Sequence, residues 1–574
     1  MKASHPLYLL ILSAAALLAS CGSSSSGNAK NSSQTQVISA SSVSFASDTV
    51  SGDFSITTDD GMVTEEGSIY TISSAGTYTV KGKATGMIYV DAGDEDAVEI
   101  DLEGASLSYG ENSPIFVANA DEVKIKAKKG TENFITDTRA EQTAEDDSQG
   151  PGAIYAKADL KLVGQGSLTV TGTYNNGVHT SKDLKIKNQT LTVIAPNNAI
   201  KGNDSIEVTS GTITAISSAG DALKTTSTDL SSSSKQRGTV TVSGGTLNLY
   251  AGCDGIDAAY NIEITNGVDE DDPSVTTIPT INILTNKFSS YSNSSVLSAE
   301  SMSSSSLIKS YNLAGPGGKG GQGGGPGGGM VPGGDTKNTD KAEGSAKGLK
   351  AANGIYISGG VTAIQAYDDG IHANSGDAFE SGSTGVGAIE ISGGQTTVSA
   401  SDDGVHADGT LSIKGGTLTI ADSHEGIEAK NIAISGGTTV AYASDDAANA
   451  SSSINVSGGY LFACVPANGD TDGIDSNGTY KQTGGTVITC GPNNMNSASL
   501  DVDGSVNVSG GTFVAFGYVN NLSTSLTKST KSGSYGNKAY TLKFASGSVQ
   551  TETLYSGYSS LTAYSELGSL SSVS

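Results

Sequence analysis

SDDGVHAD (401–408), SHEGIEAK (423–430), SDDAANAS (444–451) and DTDGIDSN (470–477) are four versions of one acidic corner within the run from Ile389 to Asp503. Between corners the chain repeats, with small variations, Ile/Leu/Val-x-Ile/Val-Ser/Lys-Gly-Gly and then a short β-prone segment. The Gly-Gly pairs end at Gly394, Gly416, Gly437, Gly459, Gly485 and Gly511, with successive differences of 22, 21, 22, 26 and 26 residues. A fixed period of this size marks a chain built from stacked structural repeats.

Alternate residues of a strand face the same way. Counted from the second Gly, position +2 is Leu247, Thr362, Thr396, Leu418, Thr439, Leu461, Val487 and Phe513, and position +4 is Leu249, Ile364, Val398, Ile420, Ala441, Ala463, Thr489 and Ala515. Neither column holds a charge, so both are expected to face inward. Position +1 is mostly Thr (Thr246, Thr417, Thr438, Thr486, Thr512), as suits a solvated strand face. The pattern predicts an all-β chain, a right-handed parallel β-helix with coils of about 22 residues. An antiparallel sandwich would not return the same residue type to the same offset at each repeat.

The ends and interruptions divide the chain. In residues 1–20, Lys2 and His5 precede the apolar run Leu7–Leu18, too short to span a bilayer, and a small-residue site follows. Cys21 at the cleavage position resembles a bacterial lipobox, which predicts a lipoprotein signal, lipidation of Cys21 and an exported, membrane-anchored protein. Residues 21–40 read as a Ser-rich tether. Residues 41–266 are expected to form the N-terminal coils. Residues 267–345, with VDEDDPS (268–274) and the Gly/Pro run 315–334, read as an insertion loop. Residues 346–517 resume the coils and 518–574 form a C-terminal cap. In the corners, Gly and Asn are expected to supply positive φ angles. Cys464 and Cys490 share position +5 on neighbouring coils, as a disulfide or as stacked thiols.

With 59 acidic and 32 basic residues, the net charge of −27 argues against nucleic acid, and against a polyanion unless cations bridge the two. Three corner features carry candidate chemistry. The first is acidic: Asp254, Asp257, Asp368, Asp369, Asp402, Asp403, Asp445, Asp446, Asp470, Asp472 and Asp475. Stacking would crowd these carboxylates, which divalent cations relieve, and oxygen-only ligands suit Ca²⁺. A solvated ladder of Asp and Asn side chains along the stack explains the same residues without a metal. The second is histidine: His372, His406 and His424 fall on successive coils and could bind sugar hydroxyls or a transition metal. The third is lysine: Lys201 and Lys224, with Lys347 and Lys350, could hold a uronate carboxylate. With a lowered pKa, Lys224 or Lys350 could also act as a base.

The succession SAKGLKAA (345–352), YDDGIHAN (367–374), SDDGVHAD, SHEGIEAK, SDDAANAS, DTDGIDSN and SASLDVDG (497–504), with AGTYTVKG (75–82) and GTENFITD (130–137), resembles a family of secreted bacterial carbohydrate-binding β-helix proteins. That family includes clostridial cell-surface proteins that bind pectic polymers. The resemblance, over roughly 73–517, implies a fold akin to polysaccharide lyases, bound Ca²⁺ and affinity for acidic plant polysaccharide. Three functions follow as expectations: Ca²⁺-dependent binding of a polygalacturonate-like polymer, Ca²⁺-dependent lyase activity with a corner Lys as base, or adhesion without a ligand.

Overall fold

The structure is a computed structural model and describes residues 46–142, 148–269, 272–285, 345–520 and 522–574. The signal sequence, Cys21, the tether and the Gly/Pro run lie outside the described residues. Within them the chain is all-β, without a helix, and 43 strands join one continuous sheet.

The repeat seen in sequence is a repeat of strand pairing. Each repeat contributes a strand to each of three parallel ladders. Ladder A holds the short strands that follow the corner turns, such as Ile371–Ala373, which pairs with the start of Val405–Ile413. Ladder B holds strands such as Asp183–Lys187 and Ser205–Val208. Ladder C holds the strands after Gly-Gly, such as Gln395–Ala400 and Thr417–Asp422. Period-2 alternation fixes the register, because a one-residue slip would turn the apolar set out of the core. Positions +2 and +4 are buried as expected, from Leu247 and Leu249 to Phe513 and Ala515. Of the +1 threonines, Thr417 is exposed and Thr246, Thr438 and Thr486 are half-buried. Thr512 is buried, because the last ladder C strand is covered by the antiparallel strand Tyr558–Ser565, and its hydroxyl lies 2.7 Å from that of Ser565.

Glycine serves two distinct purposes. The second Gly of each pair has φ near +75°, as at Gly416 and Gly437 (both +73°). The corner glycines do not have positive φ, contrary to the sequence expectation. They are small because the repeats are close: a Cβ on Gly404 would lie 2.5 Å from the Ile420 side chain and 2.6 Å from the Gly426 carbonyl oxygen. Corner asparagines are likewise absent from the positive-φ set, which among non-glycines is Asn188, Ser234 and Asn537.

The insertion is shorter than 267–345. Thr280–Thr285 is a ladder C strand between Thr246–Ala251 and Val361–Ala366, with Ile281 and Ile283 in the core. Composition hid it, because a single six-residue strand sits between a hairpin (267–268 with 276–277) and Ser-rich sequence. The smaller interruption at Ser375 is also a hairpin, Ser375–Ala378 with Thr384–Val386. At the C-terminal end, Thr527–Tyr535 and Tyr558–Ser565 run antiparallel. Residues 541–544, 548–550 and 570–573 form a separate small sheet, while Leu554 is buried outside any strand. The cap also lies along ladder C. Outward Phe462, Ile488, Val514 and Phe516 pack with Tyr535, Tyr540, Leu542 and Leu561. Cys464 and Cys490 are register partners beneath it and remain free thiols.

Candidate functional site

Ladder A turns the corner motif into two straight columns. In each corner the residue two after the Gly position lies between two buried residues, as His406 does between Val405 and Ala407. Successive register pairs join these positions into one line: His179, Lys201, Lys224, Asp257, Lys350, His372, His406, Glu428, Asn449, Asp475 and Asp501. The line is basic or imidazole-bearing up to His406, apart from Asp257, and acidic or neutral beyond it.

The second column is the residue just before the Gly position: Asn176, Asn198, Asp221, Asp254, Lys347, Asp369, Asp403, Glu425, Asp446 and Asp472. It is a side-chain rail. Asp221 N–H donates to Asn198 Oδ1 (3.1 Å), Asp254 N–H to Asp221 Oδ1 (2.9 Å), Lys347 N–H to Asp254 Oδ1 (2.8 Å) and Asp403 N–H to Asp369 Oδ1 (3.1 Å). Further along, Asp472 N–H donates to Asp446 Oδ1 (2.7 Å) and Ala498 N–H to Asp472 Oδ1. One oxygen of each acceptor thus satisfies backbone that would otherwise be buried without a partner.

The other oxygen is treated differently in the two halves. From Asp221 to Asp408, cations of the chain lie between the carboxylates. Lys224 Nζ is 2.7 Å from both Asp221 and Asp257. Lys350 Nζ is 3.3 Å from Asp254 and 3.7 Å from Asp257, and Lys347 bonds Asp369 and lies 3.2 Å from Asp368. His372 Nδ1 is 2.6 Å from Asp369, and His406 Nδ1 is 2.7 Å from Asp403 and 3.0 Å from Glu428. Between these carboxylates the chain itself thus places lysine and histidine nitrogens.

In the rail itself, from Glu425 onward, that compensation stops, although Glu428 still faces His406 and Asp445 lies 3.7 Å from His424. Among the described residues, Asp446, Asp472 and Asp475 have no ion pair with Lys, Arg or His. Burial, reinforced by Asp445, pushes Asp446 up to about 8. Burial with Asp475 nearby lifts Asp472 to about 7, and burial with Asp501 nearby lifts Asp475 to about 6. Burial, with Glu428 adding to it, takes Glu425 to about 7. Burial also raises Asp221 to about 6 and Asp403 to about 8, so what distinguishes Asp446, Asp472 and Asp475 as oxygen ligands for a hard divalent cation is that no lysine, arginine or histidine pairs with them among the described residues. Asp470 is exposed and accepts from the Ser497 hydroxyl (3.2 Å), while Asp402 is half-buried in a cluster with Asp403 and His424.

Two sequence readings change. His424 does not continue the histidine row: it occupies the turn position of Asp402, exposed and 3.7 Å from Asp445, and Glu428 takes its place in the outward line. The base role for Lys224 or Lys350 needs a lowered pKa. Burial works in that direction, but Asp221 and Asp257 around Lys224, and Asp254 and Asp257 beside Lys350, outweigh it and raise both. Lys201 is buried in the outward line between His179 and Lys224. The sequence reading missed Asp221, Asp408, Glu425, Glu428 and Asp501. Aligning corners on the Gly position, rather than on paired Asp, would have found all but Asp408.

A family described as "Carbohydrate-binding domain-containing protein" matches residues 66–388 and 376–469, which together cover more than half of the 574-residue chain. The chain belongs to that carbohydrate-binding domain-containing family. It is similar to a "Carbohydrate-binding domain-containing protein" of Acetivibrio thermocellus, 36% identical over 126 residues, covering 22% of this chain and 44% of the relative. The match thus spans less than half of the relative's length. Among solved structures, "Structure of the polysaccharide lyase-like protein from C. thermocellum, Gadolinium derivative" is 30% identical at a TM-score of 0.35, covering 40% of this chain and 85% of that one.

Proposed function

We propose that the protein is an exported, Cys21-lipidated surface protein that binds an acidic, polygalacturonate-like polysaccharide along ladder A, with Ca²⁺ held among Glu425, Asp446, Asp472 and Asp475. We further propose that its three ladders are the faces of a right-handed parallel β-helix. Parallel pairing at a near-constant sequence interval and an unbroken apolar interior support that fold.

The observation that carries the functional reading is the change of sign along one straight outward line. Its rungs are about 4.8 Å apart, of the order of one sugar residue, so a linear polymer can meet successive rungs in phase. Lys224, Lys350, His372 and His406 offer donors to sugar hydroxyls and carboxylates in one half. In the other half the acids repel a polyanion unless a divalent ion stands between. Binding is therefore expected to need both the basic half and Ca²⁺. The lyase alternative lacks a neutral lysine, since both candidate bases are held charged.

The test is retention of the full chain on immobilised polygalacturonate with Ca²⁺ and with chelator, while absorbance of unsaturated product is followed. Calcium-dependent retention without product is the expected result. Retention that ignores chelator removes Ca²⁺ from the reading. Product that disappears in Lys224→Ala or Lys350→Ala restores the lyase.

A further inference from the structure

We propose that the chain carries a separate glycan site on ladder B, for a short neutral oligosaccharide bound without a metal ion. It is independent of the acidic-polymer reading of ladder A. The sequence marks the place by an interval: Asn176 to Asn198 is 22 residues, whereas the equivalent step from Asp221 to Asp254 is 33. The extra length is the loop 226–238. Its residues Ser231 and Lys235 to Arg237, with the ladder B strands Ser205–Val208, Thr239–Val242 and Asn261–Ile264, enclose a cavity of about 550 Å³. Small-molecule sites span roughly 300–1,000 Å³.

The cavity is preformed, because both of its sides are tied down. Arg237 Nε is 3.0 Å from Asp204, whose side chain is 7% exposed, and its Nη1 is 2.7 Å from Asp229. Gln236 Nε2 donates to the Thr228 and Asp229 carbonyls at 2.9 and 3.1 Å, and the Asp204 carbonyl accepts the Gly238 N–H at 2.6 Å. On the other side, Tyr260 lines the cavity and its ring is braced edge-to-face by Phe379, with centroids 5.1 Å apart at 75°. Phe379 is buried and comes from the hairpin that begins at Ser375. A site ordered before its ligand arrives spends little binding energy on ordering loops.

The lining selects hydroxyls rather than charge. Its carboxylates are Asp183, Asp204, Glu207 and Glu263, and its cations are Lys235 and Arg237. Arg237 neutralises Asp204, and Lys185 lies 3.3 Å from Glu207. Among the described residues Asp183, Glu263 and Lys235 make no ion pair, which leaves a surplus of one negative charge. That balance repels an anionic polymer and gives a polycation little to hold. The free hydrogen-bonding groups are numerous and directional. Glu207, Thr241 and Glu263 are register partners, so a carboxylate, a hydroxyl and a carboxylate stand in one line about 4.8 Å apart. Asn261 Oδ1 accepts from the Asn353 amide at 2.8 Å, which leaves its own NH₂ to donate. The Thr239, Thr241 and Tyr260 hydroxyls have no partner among the described residues. A sugar ring has an apolar C–H face for an aromatic side chain and a rim of hydroxyls for groups of these kinds.

The experiment is calorimetric titration of the full chain, in buffer containing chelator, with uncharged tetrasaccharides of glucose, xylose, mannose and galactose. Tetragalacturonate and spermidine serve as charged competitors. Saturable one-to-one binding of at least one neutral tetrasaccharide is expected, with no displacement by either competitor. Tyr260→Ala should weaken it at least about 10-fold. Thr241→Val, nearly the same shape without the hydroxyl, should weaken it about 3–10-fold. Lys481→Gln, farther along ladder B, should leave affinity unchanged, and thermal midpoints verify that each variant is folded. Absence of saturable binding to every neutral tetrasaccharide would overturn the proposal. So would binding that survives both Tyr260→Ala and Thr241→Val, or displacement by tetragalacturonate or spermidine. Because the ligands are uncharged and Ca²⁺ is absent, failure here is distinguishable from failure of the polygalacturonate reading.

Discussion

Replacing Lys347 by Met isolates the role of chain-borne cations in the carboxylate columns. Lys347 is 13% exposed and its ammonium lies between Asp368 and Asp369, whose side chains are 6% and 4% exposed. Its backbone N–H, which bonds Asp254, is unaffected by the substitution. Met keeps most of the side-chain volume, so the perturbation is the lost charge. Removing one partner of a buried ion pair costs about 3–5 kcal/mol, because the remaining charge is left uncompensated. His372 still faces Asp369, which places the expected loss near the lower end, about 3 kcal/mol. With an m-value of about 3 kcal/mol/M or more, the urea midpoint falls by up to about 1 M. Urea leaves the charges unscreened, and the absence of Trp makes far-ultraviolet circular dichroism the direct probe. The double variant Lys347→Met/Asp369→Asn removes one stranded carboxylate while Asn still accepts the Asp403 N–H, and should recover at least half of the loss. A single variant with the wild-type midpoint, or a double variant weaker than the single, would refute the reasoning.

Other perturbations test separate parts of the account. In metal-free protein, Asp446 and Asp472 have folded values of about 8 and 7 against about 3.9 unfolded. The folded state therefore holds protons that the unfolded state releases, and stability falls as pH rises from about 4 to 8. Ca²⁺ should reverse that trend in thermal scans, and Asp446→Asn with Asp472→Asn should flatten it. Thr396→Val should raise the melting temperature, with a gain of about 1 kcal/mol, because the Thr396 hydroxyl is buried without a hydrogen-bond partner. Gly404→Val should disrupt ladder A, since even a Cβ would sit 2.5 Å from Ile420. Loss of polygalacturonate retention with partial unfolding checks this. Ile420→Ala should cost about 2–5 kcal/mol, measured by urea unfolding, as for any fully buried aliphatic residue.

The strands were legible from residues 246–515 because their signal is local. Alternation at +2 and +4, and a glycine pair that admits φ near +75°, hold within a few residues of chain. The acidic corners were legible as a recurring position for the same reason. The corner glycines were recognised as necessary, but for a conformation they do not adopt. What excludes a Cβ is the next repeat, about 22 residues away. Strand Thr280–Thr285 and the sideways reach of the cap were hidden likewise, since both depend on what lies beside a segment in space.

The sequence by itself determined the β period, the inward columns and the set of ionisable corner residues, because side-chain direction in a strand follows from residue order. Only the tertiary structure decided which of those residues meet. It set Lys224 between Asp221 and Asp257, stacked His372 on His406, moved His424 out of their row and brought Asp408 to both rings. Charge compensation acts across neighbouring repeats at a few ångströms, and the alignment of those repeats is fixed by packing the whole interior.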